Sequence, residues 1–130
     1  MLILIALTIF ILSSIPGDSY PEIDFKFADK IVHILIYAPL FIAAYISFSH
    51  QDRLRLLSNH PYFFAMLFSA IYGASDELHQ LFTPKRSCDF YDWIADVTGA
   101  LVGMLLVIVY NYIIAKKKLI KQNTAYDSVN

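Results

Sequence analysis

Apolar residues come in four long runs, and the polar residues at the ends of those runs recur at helical spacing. Leu2 to Ile15 is interrupted only by Thr8, Ser13 and Ser14, and Pro16-Gly17 ends it with a helix-stopping pair. At helical rise this first span covers roughly 21–23 Å, short of a ~30 Å hydrocarbon core but within what local thinning tolerates. No Lys or Arg precedes it and no small-x-small site follows it, which favours a retained helix over a cleaved signal peptide. Ile31 to Phe48 carries no formal charge, and Pro39 should kink it without ending it. Pro61 to Phe82 is apolar and aromatic in its first half, whereas its last two turns hold Ser75, Asp76, Glu77, His79 and Gln80. Trp93 to Ala115 is the longest run, with Asp96 one turn from its start. No period-two pattern of comparable length competes. The pattern predicts an all-α protein: an integral membrane four-helix bundle with both termini cytoplasmic. Its spans lie at about 2–16, 31–48, 61–82 and 93–115 within a domain of residues 1–115, and residues 116–130 form a polar cytoplasmic tail that frays into water.

Composition points the same way. With 58% apolar and 16% charged residues, against roughly 25% charged in an ordinary soluble domain, 130 residues cannot coat a soluble monomer. A net charge of −1 excludes the basic field of a general nucleic-acid binder. Cys88 is the only cysteine, so there is no internal disulfide and no Cys/His zinc spacing. Charge informs by location. Arg53, Arg55, Lys116, Lys117, Lys118 and Lys121, six of the ten basic residues, fall on one side of the spans, expected to be cytoplasmic. The other side receives Lys26, Lys30, Lys85 and Arg86, together with nine of the eleven acids: Asp18, Glu22, Asp24, Asp29, Asp76, Glu77, Asp89, Asp92 and Asp96. Tyr20, Tyr62, Phe63, Phe64, Phe90, Tyr91 and Trp93 fit interfacial aromatic belts.

The acids line up. Gly73, Asp76, Glu77 and Gln80 stand at i, i+3, i+4 and i+7 with His79 on the shoulder; Asp89, Asp92, Asp96, Gly99 and Gly103 form a second stripe; Lys30, His33 and Tyr37 form a third. Antiparallel packing brings all three to one membrane face. A carboxylate facing hydrocarbon costs a few kcal/mol or more, so the stripes should face one another or a wet cavity. Gly99-x-x-x-Gly103 continues the acidic stripe inward and marks the close-packing face. Two interpretations stay open: a polar pocket at outer-leaflet depth, or acids paired with Lys30, Lys85 and Arg86 as structural ion pairs. Asp76-x-x-His79 with His33 has the spacing of a bundle metal site, yet hydrogen-bonded pairs are the commoner use, and no metal or cofactor is assigned. Glu77 can act as general acid or base, but Asp76 beside it is equally able to titrate. Lys85-Arg86 after Pro84 set two cations at headgroup level, suited to phosphate or to interface anchoring. The absence of a Gly-x-Ser-x-Gly elbow argues against acyl hydrolysis.

Three blocks carry a resemblance over nearly the whole chain. Asp29-Lys30-x-x-His33-x-x-x-Tyr37, Ser75-Asp76-Glu77-Leu78-His79-Gln80-x-Phe82-x-Pro84-x-Arg86 and Asp92-x-x-x-Asp96-x-x-Gly99-Ala100, with Ser13-Ser14-x-Pro16 ending the first span, resemble the VanZ-like family of small bacterial membrane proteins. The resemblance implies a four-helix membrane domain and a cell-envelope setting, one member being linked to low-level resistance to teicoplanin. It carries site roles most firmly to Glu77, Gln80, Arg86 and Asp92, and less so to Asp96 and His33. The family pattern has Gly at the position of Lys85 and Asn at that of Asp96; the added Lys and Asp either offset each other or Asp96 alters the protonation of the pocket.

The expected protein is a multi-pass protein of the bacterial inner membrane. Its outward pocket binds a phosphate-bearing lipid or cell-wall precursor headgroup, with a possible role in teicoplanin tolerance. Lys85 and Arg86 hold phosphate, directly or alongside a cation held by Glu77, Asp92 and Asp96, while Gln80 and His33 orient groups. Catalytic candidates are Glu77, Asp76 and Asp92, and whether chemistry follows binding is open. The rivals are a proton-linked transporter subunit and a non-catalytic assembly partner that docks another membrane protein through the Gly99/Gly103 face.

Overall fold

The computed structural model describes residues 1–19 and 27–127; Tyr20, Glu22, Asp24 and Lys26, invoked above, lie outside the described residues. Helices α1 (Leu2–Ser13), α2 (Ala28–Ser49), α3 (Arg55–Asn59), α4 (Pro61–Gln80) and α5 (Phe90–Asp127) follow in order, and there is no strand among the described residues. Of these, α2 and α5 are long and apolar enough to cross a membrane, and α1 is a shorter apolar helix. Each apolar run is therefore a helix, with shifted ends. α2 begins three residues before the predicted span, so Asp29 and Lys30 belong to its first turn, where a carboxylate suits the helix dipole. Pro39 sits inside α2 without ending it. The short α3 was not anticipated. α5 does not fray at Lys116 but stays helical to Asp127, because Ala, Lys, Leu and Gln are good helix formers and no Gly or Pro interrupts them.

α2 is the central element, packed on α5, α4 and α1. The closest approach is between α2 and α5. A Cβ on Gly99 would stand 2.6 Å from the Ile34 carbonyl oxygen and 3.0 Å from the Tyr37 Cβ, and one on Gly103 would meet the Ala38 carbonyl oxygen and Phe41. Only a hydrogen fits at these two positions. The Gly-x-x-x-Gly face is thus filled by the chain's own α2, which removes it as a docking face for another protein. Small side chains continue the seam: Ala44, Ala65 and Ala100 pack with Phe41 and Val107 in one core cluster, while Ile9, Tyr37 and Leu40 form a second beneath α1.

The helices bury most of the predicted stripes, except that Asp89 precedes α5 and, like Lys30, is only half-buried. On α4 the buried residues are Ala65, Ser69, Gly73, Asp76, Glu77 and Gln80, a single face. On α5, Asp92, Asp96, Gly99, Gly103 and Val107 are buried. Leu101, Leu105, Leu106, Val109 and Ile113 of the same helix point away from the protein and are exposed.

Candidate functional site

The acidic stripes meet because α2 and α5 both begin at one end of the assembly and α4 finishes there. Asp89 organises the junction. It caps α5, its Oδ1 accepting the Tyr91 backbone N–H at 2.8 Å; its own backbone N–H donates to Glu77 Oε2 at 2.9 Å; and Lys30 Nζ donates to its Oδ2 at 2.9 Å. The Lys30 ammonium holds the Asp89 carboxyl below its ordinary value of 3.8. Lys30 also pairs with Asp92 and approaches Asp29 Oδ2 at 3.8 Å, so one ammonium from α2 serves three carboxylates. This realises the ion-pair interpretation for Lys30.

Deeper in, His33 Nδ1 lies 2.7 Å from Asp96 Oδ1, and Asp96 is fully buried. Asp96 is held from the other side by α4: a Cβ on Gly73 would come within 2.8 Å of its Oδ2. Its partner is therefore His33 and not Lys85, which was one of the two alternatives for this acid. Asp76 accepts from Ser13 Oγ at 2.6 Å, tying α4 to the end of α1, and Gln80 Nε2 bridges Asp76 and Glu77 at 3.4 Å each. Asp76, Glu77, Asp92 and Asp96 are all at most 6% exposed. Four buried carboxylates in so small a protein are costly unless each is paired or hydrogen-bonded, and the contacts above are what holds them.

The segment after α4 folds back over α1. Arg86 Nε donates to the Ile15 carbonyl oxygen at 3.4 Å, and the Gly17 backbone N–H donates to the Pro84 carbonyl oxygen at 3.0 Å. A side chain on Gly17 would collide with the Lys85 carbonyl, so this glycine is needed for close approach and not merely as a helix stop. Lys85 has φ 58°, the left-handed region that glycine adopts at no steric cost. A glycine, which the family resemblance implies at this position, would adopt this conformation without strain.

These elements enclose a cavity of about 550 Å³. One wall is apolar, from Ile9 and Leu12 of α1 and Val32 and Ile36 of α2; the floor is His33, Tyr37, Asp76, Gln80 and Asp92; Asp29, Lys85, Arg86 and Ser87 stand at the rim. Six of the predicted site residues, His33, Asp76, Gln80, Lys85, Arg86 and Asp92, thus line a common cavity. Glu77 and Asp96 do not line it; they are buried behind the floor. His79 does not join the acids either. Its ring packs on Phe10 at 4.6 Å between centroids and its Nε2 meets Ser14 Oγ at 3.0 Å, so the Asp76-x-x-His79 spacing makes no shared site. Sequence reasoning missed Ser13 and understated Tyr37. Ser13 left one signal, a hydroxyl interrupting an apolar run next to its end. Tyr37 left another, its place on the Lys30/His33 stripe.

At the opposite end of the helices Asn111 Nδ2 donates to the hydroxyls of Tyr45 and Tyr62, both at 3.0 Å.

No curated protein and no solved structure matches this chain significantly. A family model described as VanZ/LLP1 matches residues 1–111, which takes in every residue of the cavity and its buried acids. That match and two apolar helices of membrane-crossing length mark a membrane protein, and the chain belongs to the VanZ/LLP1 family.

Proposed function

We propose that the protein is a multi-pass protein of the bacterial inner membrane whose cavity binds the phosphate-bearing headgroup of an envelope lipid or cell-wall precursor. In this reading α1, α2, α4 and α5 form a four-helix membrane bundle with both termini in the cytoplasm, and the cavity opens at the outer leaflet. The topology rests on Arg53, Arg55 and the Lys116–Lys118 group, which belong to the Tyr45/Tyr62/Asn111 end, away from the cavity.

The single observation that carries the proposal is the two-sided character of the cavity. Ile9, Leu12, Val32 and Ile36 offer a wall for an acyl or prenyl chain, while Lys85 and Arg86 at the rim offer charge and bidentate hydrogen bonding to phosphate. An amphiphile matches both halves; a small polar solute would waste the apolar wall. Teicoplanin tolerance follows from the family resemblance if the headgroup belongs to a cell-wall precursor.

The test is lipid co-purification in mild detergent. Wild-type protein is expected to retain phospholipid or polyprenyl phosphate that Arg86→Ala loses several-fold, and equal retention in the two overturns the proposal. A proton-linked transporter draws less support, because the buried acids gather at the cavity end and the side-chain contacts between helices at the far end are made by Asn111, Tyr45 and Tyr62, which do not relay protons near neutral pH. An assembly partner remains a possible role only through a surface other than the Gly99/Gly103 face.

A further inference from the structure

Two clusters of possible metal-ligating atoms share His33. In each, one donor atom per residue lies within 4.8 Å of the other two: Asp29, His33 and Asp92 at the rim and floor, and His33, Glu77 and Asp96 behind the floor. They differ in what already balances them. The outer trio surrounds the Lys30 ammonium, which touches Asp92 and lies 3.8 Å from Asp29. The inner trio is held by neutral donors apart from His33 itself: Glu77 accepts from Gln80 and from the Asp89 backbone N–H.

The inner trio also leaves polar atoms unsatisfied. Asp96 Oδ2 is buried with no hydrogen-bond partner among the described residues, and so is the Tyr37 hydroxyl, on a residue that is likewise fully buried. Tyr37 follows His33 by one turn of α2, the two rings stacked at 6.5 Å between centroids. Buried polar atoms without partners are rare, and one on a carboxylate of this trio calls for an occupant that can meet it. A cation coordinated by Asp96 would do so.

We propose that His33, Glu77 and Asp96 bind a divalent first-row metal ion, of the Mn²⁺ or Zn²⁺ kind, directly behind the floor of the cavity. The ligand set decides the class. Magnesium and calcium prefer all-oxygen shells, whereas one imidazole with two carboxylates suits borderline transition ions. The three ligands come from three helices, α2, α4 and α5, so the ion also ties together the ends that the acids would otherwise push apart. It resolves a difficulty in the phosphate reading as well: a pocket floored by buried acids repels an anion, and a divalent cation beneath it inverts the local charge.

The cation site can fail or stand independently of that reading, because its test uses metal alone. Full-length protein in detergent, stripped with EDTA, is titrated with Mn²⁺ and followed by electron paramagnetic resonance. A single ion per chain is expected, with nitrogen coupling from His33 in the spin-echo modulation. Glu77→Gln and Asp96→Asn should each weaken binding about 100-fold, at or beyond the upper end of what losing a supporting hydrogen bond does. His33→Gln should abolish the nitrogen coupling. His79→Gln and Arg86→Ala should keep Mn²⁺ binding, the latter even as it loses lipid phosphate. Helical circular dichroism and a monodisperse elution profile establish that each variant is folded, and Glu77→Gln serves should Asp96→Asn fail that check. Saturable binding absent below about 1 mM, the weakest range of natural cation sites, overturns the proposal. Affinity unchanged in both folded carboxylate variants, or lost in His79→Gln, overturns it too.

Discussion

The two ends of the helices are assembled by opposite chemistry, although they are built from the same α2, α4 and α5. At the Tyr45/Tyr62 end, Phe41, Ala44, Ala65, Ala100 and Val107 close the interior with small and aromatic side chains, and an amide sits between two phenols. At the cavity end, Asp76, Glu77, Asp92, Asp96 and His33 are buried among themselves. The seam of Gly99 and Gly103 lies between the two and brings α2 and α5 into backbone contact. An end made of small residues needs only to fit. An end made of charges needs every partner present, and it gains in return a set of groups able to recognise a ligand. The contrast teaches that fit alone holds one end, while the other depends on each charged group keeping its partner.

The comparison breaks most sharply at the His33–Asp96 pair. Asp96→Ala in EDTA leaves a buried imidazole without its partner and should destabilise by about 3–5 kcal/mol, whereas replacing both members by Leu should cost far less. Thermal unfolding in detergent compares the two; equal losses would mean that the pair is not the unit that matters. Next comes the seam. Gly103→Leu drives a side chain into the Ala38 carbonyl and should cost about 3 kcal/mol, the upper end for overpacking, because backbone cannot step aside. An unchanged melting temperature would show that the helices separate more easily than this contact implies.

Smaller effects sharpen the contrast. Lys85→Gly relieves a left-handed residue and should stabilise by about 1 kcal/mol, provided the loop keeps its conformation. The same variant isolates the role of the Lys85 charge, since lipid-phosphate retention should fall less than in Arg86→Ala. Asn111→Ala at the far end should cost only about 0.6 kcal/mol, the average for interhelical hydrogen bonds in membranes, and should leave lipid retention unchanged. A loss of lipid in Asn111→Ala would show that the two ends are coupled.

How much could be read beforehand differs by level. Each apolar run became a helix, and the faces named from spacing, Gly73/Asp76/Glu77/Gln80 and Asp92/Asp96/Gly99/Gly103, are the buried ones. Helical ends were less legible, since α5 ran past the lysines on local propensity alone. The site was legible as a set of residues and not as an arrangement. Nothing in the spacing could tell that Lys30 gathers Asp89 and Asp92, that Ser13 reaches Asp76 from a helix far away in the chain, or that His79 turns aside to Phe10.

Period and composition determined the helices, their polar faces and the end at which the ionisable groups collect, because a repeat of 3.6 residues decides which side chains share a face whatever the helix then packs against. Only the tertiary structure decided which carboxylate meets which cation, which ones line the cavity, and that Glu77 and Asp96 stand behind its floor. Those outcomes depend on the depth and rotation of one helix against another, set here by the backbone contact at Gly99 and Gly103, and a shift of a few ångströms there changes every partner while leaving the sequence pattern the same.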